Sequence, residues 1–371
     1  MSSRVAKWVF VLVAGVALSA LGAAPQPGPS PHIVLEQPPQ LDPITGLADI
    51  EALLLNAAGT KGYIVHVGRD DNAFITEFTV PNTKGGTCEL GVLSVSAAAY
   101  DEANAHLWVG VGNFHWPHHE NSILIVDVSK PLENKCVVVA TIPLPSPLNI
   151  KFYKKDDRVY VILLLMNSSI YVLARKAGEK EEYELKATVD LSEACLGPNA
   201  MALGADALYV TCMFSYNVVR VNLGTWEVDG AAPAGAEPVD IKFYGDKLYV
   251  AAAGSDTLEI IDAVTLQPIK SVPLSPGLLQ HVDPRYVEVS PEGRFVYVSN
   301  AADQSVSVIC RATAQLLTTF RAIAPTIITA PGVIAAVDHQ GKHLLYVADN
   351  RGILQIFVMD WAYSQYTTEC P

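Results

Sequence analysis

Residues 238–273 read PVDIKFYGDKLYVAAAGSDTLEIIDAVTLQPIKSVP. The segment holds a strand at Val239 to Phe243, a turn at Gly245-Asp246 and a second strand at Lys247 to Ala252. A further turn at Gly254-Ser255-Asp256 leads to a strand from Leu258 to Asp262, and Ile269 to Pro273 completes the unit. Short β-rich runs separated by glycine, aspartate and serine are the mark of an antiparallel meander.

The same pattern recurs on both sides. The first strand Pro238-Val239-Asp240-Ile241-Lys242-Phe243-Tyr244 nearly copies Pro147-Leu148-Asn149-Ile150-Lys151-Phe152-Tyr153, two units earlier. The second strand recurs as Leu208-Tyr209-Val210, Val296-Tyr297-Val298 and Leu345-Tyr346-Val347. Along the whole chain an aromatic residue sits in that second strand at Tyr63, Trp108, Tyr160, Tyr209, Tyr249, Tyr297 and Tyr346. A four-strand unit repeating about every 40–50 residues is the signature of a β-propeller. The expectation is an all-β, seven-bladed β-propeller of four-stranded antiparallel blades, in which the aromatics pack between neighbouring blades. Two segments compete to close the ring. Tyr363 to Glu369 could form the last outer strand, or His32 to Glu36 could add there as a clasp.

Outside the repeat, Arg4 and Lys7 precede an apolar run from Val9 to Leu21, and Gly22, Ala23 and Ala24 follow it. That order is an export signal with cleavage after Gly22 or Ala24. The run is short for a bilayer span, and the small-residue exit argues against a retained anchor. The chain therefore divides into a signal peptide (1–24), a proline-rich linker (25–45) and the propeller (46–371), with no membrane span in the mature form. Six cysteines suit an oxidising, extracellular setting, and none forms a CxxC pair. Cys195 and Cys212 fall on the same face of the ring and are the bridge that topology favours. Asn167-Ser168-Ser169 is a glycosylation sequon in a loop. A formal charge of −13 and a pI of about 5.1 exclude a nucleic-acid partner held through phosphate contacts.

Lys247 to Val250 through Ile260-Ile261-Asp262, and Gly293-Arg294-Phe295-Val296-Tyr297-Val298-Ser299-Asn300, resemble YVTN-type propeller repeats. Ser290-Pro291-Glu292-Gly293 is similar to that family's turn between first and second strands. The resemblance is close over residues 200–360 and looser over the first three blades, which carry longer inserts. It implies a seven-bladed fold and extracytoplasmic placement. The wider group includes surface-layer modules, lactonase-like enzymes and redox-enzyme domains, so no single reaction is implied.

Ligands of propellers enter at the channel mouth, built from the loops entering the first strand and those joining the second to the third. Here those loops supply Trp116, Asn149, Asn199, Tyr216, Asp240, Asp283 and Arg285 as candidate ligand contacts. His115, His118 and His119 flank Pro117 in one loop and could hold Zn²⁺; solvated histidines on an exposed loop are the plainer reading. Asn149, Asn199 and Asp240 stand at strand entries and could hold Ca²⁺, although capping of the strand entry explains the same residue types. Calcium-dependent lactonases of this shape imply an early glutamate ligand, for which Glu51 is the candidate. Their Asn-Gly and Ser-Pro-Asp-Gly pattern is absent. No GxSxG elbow, phosphate loop or haem-attachment CxxCH occurs.

The expected function is therefore a secreted binding module that takes a small molecule, or an extracellular protein or carbohydrate, at its top face. The alternative is a metal-dependent lactonase-like hydrolase or isomerase at the same mouth.

Overall fold

In the computed structural model, the residues described are 38–47, 49–68, 72–112, 121–145, 147–156, 158–176, 182–275, 280–322, 331–349 and 352–360, with 362, 366 and 370. They form a seven-bladed β-propeller. Blade 5, the segment quoted first, runs outward as Pro238–Tyr244, Lys247–Ala252, Thr257–Asp262 and Pro268–Pro273, each antiparallel to the last. The innermost strands of the seven blades, in order, are Asp49–Leu55, Val95–Asp101, Pro147–Lys155, Pro198–Leu203, Pro238–Tyr244, Pro284–Val289 and Pro331–His339. Each touches the next, and the last touches the first, so the ring is closed.

Closure uses the N-terminal segment. Gln40–Ile44 pairs antiparallel with Leu354–Val358 and is the outermost strand of blade 7. This strand lies inside the stretch read from sequence as linker. His32 to Glu36 lies outside the described residues, as does all of Tyr363 to Glu369 except Tyr366. The physical need is the one anticipated: an edge strand with free N–H and C=O groups must be covered. Joining the first and last of these strands in one sheet ties the segment before blade 1 to blade 7.

Blade 1 has a fifth strand that the repeat does not contain. Asn134–Lys135 pairs in parallel with Thr83–Glu89, and Cys136 is bridged to Cys88. The connection between the third and fourth strands of blade 2 therefore swings across to blade 1 as a strap. Gly86 is what lets it lie down, because a Cβ there would sit 2.0 Å from the Leu132 carbonyl oxygen. Beneath the strap is a cleft of about 300 Å³ lined by Asp127, Leu132, Lys135 and Val137 among others.

Six of the seven second-strand aromatics are fully buried: Tyr63, Trp108, Tyr209, Tyr249, Tyr297 and Tyr346. Tyr160 is the exception, because it is two positions out of register. Lys242 faces Tyr249 across its hairpin, but the matching Lys151 faces Ile162, and Tyr160 faces Tyr153. The hairpin of blade 3 is longer, and its apolar run places Ile162 where the ring belongs. Tyr160 instead packs with Tyr153 and with Trp226 of blade 4, ring centroids 6.2 Å apart in both cases.

Three of the buried tyrosines also reach the next blade with their hydroxyls. Tyr209 donates to Ala263 O at 2.9 Å and Tyr346 donates to Pro81 O at 2.8 Å. Tyr63 makes a longer contact with Val128 O at 3.4 Å. In each case the acceptor is in the turn leaving the neighbour's third strand. The Tyr346 bond crosses the seam between blade 7 and blade 1.

Two outcomes test this packing. Tyr346→Phe removes one buried hydrogen bond and should cost about 1 kcal/mol. Tyr346→Ala should cost about 3–5 kcal/mol by leaving a cavity; equal costs in denaturant titration would show that the hydroxyl, not the ring, carries the seam. The second concerns acid. His66 is buried, with Nε2 against Thr76 Oγ1 at 3.0 Å, and burial, then Lys84, brings its pKa from 6.5 to about 4. Between those values the unfolded chain binds a proton that the folded chain refuses, so stability should fall as pH drops through that window. His66→Gln should flatten this part of a stability–pH curve, and an unchanged curve would assign the acid lability to other groups.

Candidate functional site

The top face, defined by the loops entering the first strands and joining second to third strands, is built from repeated backbone geometry. Met213, Ala253 and Ala301 donate their N–H to Gly197 O, Glu237 O and Asp283 O at 2.8, 2.9 and 2.8 Å. Each acceptor residue is in left-handed backbone, with φ of 64°, 51° and 55°, and each precedes a proline. The proline disfavours helical backbone at the preceding residue, which helps fix this turn at blades 4, 5 and 6. Tyr216 and Asp256 are likewise left-handed, at φ of 57° and 55°, at corresponding positions before the third strands.

Asp256 stitches two blades at the mouth. Its carboxylate accepts the N–H of Val282 at 3.0 Å, the N–H of Asp283 at 2.9 Å and a contact from His281 Nδ1 at 2.9 Å. Asp283 is paired with Arg285 Nη2 at 2.9 Å. Asp283 and Arg285 thus form a local ion pair beside the entry to blade 6. Their geometry is that of a loop fixed before any ligand arrives.

Every inner strand begins with an irregular pairing, such as that between Pro238 and Asp240 or between Pro284 and Tyr286. Bulges of this kind re-aim side chains at the rim of a ring. They also set where Asn149, Asn199 and Asp240 stand on their strands. Tyr209 faces Ala202 and Tyr249 faces Lys242, so Asp240 lies two residues before its reference position and Asn199 three. Asn149 matches Asp240; Asn199 is offset by one and belongs to the other face of its strand. The Asn199 amide donates to Val239 O, and Asp240 accepts the Val287 N–H at 2.9 Å. Both side chains tie an inner strand to the inner strand of the following blade.

The channel wall carries charges that the sequence reading passed over. Lys151, Lys242 and Glu288 occupy the same level in blades 3, 5 and 6; the corresponding residues of the other blades are Leu54, Ala99, Ala202 and Ala335. Lys242 Nζ pairs with Glu288 at 2.9 Å. Burial, then the nearby Lys242, brings the Lys151 amine down to about 8, with Asp240 and Glu288 pulling the other way. Lys242 also loses water, but Glu288 and Asp240 hold it above the usual lysine value. Burial raises the Asp240 carboxyl against the pull of Lys242 and two backbone N–H groups. Burial, then Asp240 and Glu51, pushes Tyr286 up to about 12. Tyr286 is nevertheless 37% exposed.

A second feature lies on the rim of blade 4. Leu196, Phe214 and Tyr216 are 57%, 67% and 52% exposed, and all three come from the top loops of that blade. The loops are braced together. Cys195 and Cys212 are bridged, Phe214 N–H donates to Leu196 O at 3.0 Å, and Leu196 N–H donates to Ser215 Oγ at 3.0 Å. The Phe214 ring lies over Gly197, where a Cβ would approach it to 2.5 Å. The result is a fixed apolar platform.

His115, Trp116, His118 and His119 lie outside the described residues. Asn167 is exposed in the turn between the second and third strands of blade 3. Among the described residues, Glu292, Asp338 and His343 are a group of three whose ligand atoms lie within 4.8 Å of one another. They sit on the opposite face, where His343 Nδ1 is already bonded to Asp338. Cys310 is bridged to Cys370, and no helix of the described residues is long and apolar enough to cross a membrane.

The chain matches no protein-family model and no curated protein sequence. Its class, a seven-bladed β-propeller, rests on the fold itself.

The bridge under the platform closes a loop with sequence separation 17. Replacing Cys195 and Cys212 together by alanine should lower stability by about 3 kcal/mol. Hydrogen exchange at Leu196 and Phe214 should speed up in the same variant. Protection unchanged from the native chain would show that backbone bonds alone fix the platform.

Proposed function

We propose that this protein is an extracellular binding module that engages its ligand with the top face of the propeller. The observation that carries the reading is the platform of Leu196, Phe214 and Tyr216. Three large apolar side chains stand exposed on neighbouring loops that a disulfide and three backbone-anchored contacts hold rigid. Exposed apolar surface costs free energy unless something covers it, and rigid aromatic rings bind with little loss of conformational freedom. A protein surface or the apolar face of a sugar fits this chemistry. The three disulfides and the apolar N-terminal run with its small-residue exit support placement outside the cell. Membership of the YVTN-type repeat group is part of the proposal; it is supported by the Ser290 to Gly293 turn, in which Ser290 Oγ accepts the N–H of Arg294 and Phe295.

The lactonase-like reading has less behind it. Asn199 and Asp240 are engaged with neighbouring backbone and do not share a strand face.

The test uses the full chain expressed in a secretory host, probed against arrays of glycans and extracellular protein domains. Partners of the native chain should bind Phe214→Ser/Tyr216→Ser at least about tenfold more weakly, a loss of about 1.4 kcal/mol. The melting temperature should stay where it was, because both side chains are exposed. A partner that binds the double variant at full strength, yet is lost on Val264→Ser at the opposite face, sinks the proposal.

A further inference from the structure

The turn between the second and third strands has one geometry in several blades, and in blade 3 it presents a side chain open to modification. In blades 4, 5 and 6 the residue before the third strand is left-handed: Tyr216, Asp256 and Gln304, at φ of 57°, 55° and 59°. The carbonyl of each accepts an N–H from the residue after the fourth strand. Ala234, Leu274 and Ala322 are the donors, at 3.0, 2.9 and 3.0 Å. Ser168 does the same in blade 3, with φ of 60° and the Leu191 N–H at 2.8 Å. Ser168 is therefore the counterpart of Tyr216, and Asn167 holds on blade 3 the place that Ser215 holds between Phe214 and Tyr216. Met166 is 44% exposed, as Phe214 is on the next blade. From Leu191 the chain makes one turn, closed by the Cys195 N–H on Leu191 O at 2.8 Å, and arrives at Leu196. The Asn167 turn thus borders the apolar platform on its Leu196 side. Tyr216, through its bond with Ala234, is tied instead to the segment entering blade 5.

Asn167 is exposed, and its amide makes no hydrogen bond with any described residue. Asn199, Asn217 and Asn300, by contrast, commit their amides to Val239 O, Ala194 O and two serine hydroxyls. No other asparagine in the chain is followed two places on by serine or threonine. That spacing is what the transferase of N-linked glycosylation requires. We propose that Asn167 carries an N-linked glycan, and that this glycan fences the platform on the blade 3 side and leaves the blade 5 side open to a partner. In the modifying reaction the Asn167 Nδ2 attacks C1 of the first sugar of a lipid-diphosphate-linked oligosaccharide. The Nδ2–C1 bond forms as the bond from C1 to the diphosphate oxygen breaks. The lipid diphosphate leaves with that electron pair, and one amide proton passes to a base of the host's transferase. The attached glycan is bulky and hydrophilic, and it stands beside Met166 and Leu196. The inference rests on the extracellular placement proposed above, and it does not require that the platform have a partner.

The test uses the full chain secreted by a eukaryotic host, which supplies the sugar donor. The intact mass should fall on treatment with peptide-N-glycosidase, and the peptide digest should place the lost mass on Asn167. Asn167→Gln and Ser169→Ala should each lose this enzyme-sensitive mass completely, while Ser169→Thr should keep it. A secreted chain with Asn167 unmodified overturns the proposal. Hydroxyl-radical footprinting reads the fence. Removing the glycan from the folded chain should speed oxidation of Met166 and Leu196 and leave Val264, exposed on the opposite face, unchanged. Equal rates at Met166 and Leu196 before and after removal overturn the fence. The glycan and the platform fail separately. A chain with bare Asn167 that still holds a partner through Phe214 and Tyr216 sinks the glycan alone. A glycosylated chain whose Phe214→Ser/Tyr216→Ser variant keeps its partner at full strength sinks the platform alone.

Discussion

The ring depends on one contact made again and again: a large side chain in the second strand of a blade, buried against the blade that follows. A single four-stranded sheet cannot shield both of its faces, so each blade is stable only as one layer of a stack. The rings of Trp108, Tyr249 and Tyr297 are among the largest fully buried side chains, and each contributes about 1.5–3 kcal/mol by area alone. Where the residue is tyrosine, the hydroxyl can reach a carbonyl in the neighbour's outer turn, as Tyr209 does to Ala263 and Tyr346 to Pro81. That bond fixes the angle between blades as well as their separation. At the last seam the same contact works with the Gln40–Ile44 strand, so closure is secured once through backbone pairing and once through packing.

Interblade packing is also what leaves an axis to be lined. The inner strands cannot meet at a point, so their side chains share a narrow lumen. Most positions are filled by alanine, valine and leucine. The departures fall on blades 3, 5 and 6, where two lysines and two carboxylates act on one another. Asp256, Asp283 and Arg285 use their charges on the loops above, which presents a rigid rim. The strap over Gly86 and the bridge at Cys195–Cys212 stiffen the outer edge and the rim respectively, each at a place where the repeat is interrupted.

Some of this was legible from the chain alone. The alternation of apolar and polar residues gives strands, the turn residues delimit them, and the spacing of the aromatics gives the number of blades. The near-copy of Pro147 to Tyr153 at Pro238 to Tyr244 even contains both channel lysines at matching positions. Their meaning was hidden because a lysine in a strand is usually read as the solvent face, and only the ring turns that face inward. Tyr160 shows a different limit. The beat of the aromatics was regular enough to absorb it, yet a hairpin extended at its free end moves the residue two places without disturbing the count. Asn199 differs from Asp240 by one residue, and in a strand one residue is the whole difference between two faces.

The sequence by itself determined the class of fold, the number of repeats and the residues that bury, because those follow from local patterning and from the area each unit must hide. Tertiary structure alone decided which N-terminal residues close the ring, which loops of blade 4 stand together as a platform, and which charges face one another across the axis. These are relations between segments far apart in the chain. They are set by bulges, single-residue offsets and the order of blades around the ring, none of which leaves a period in the sequence.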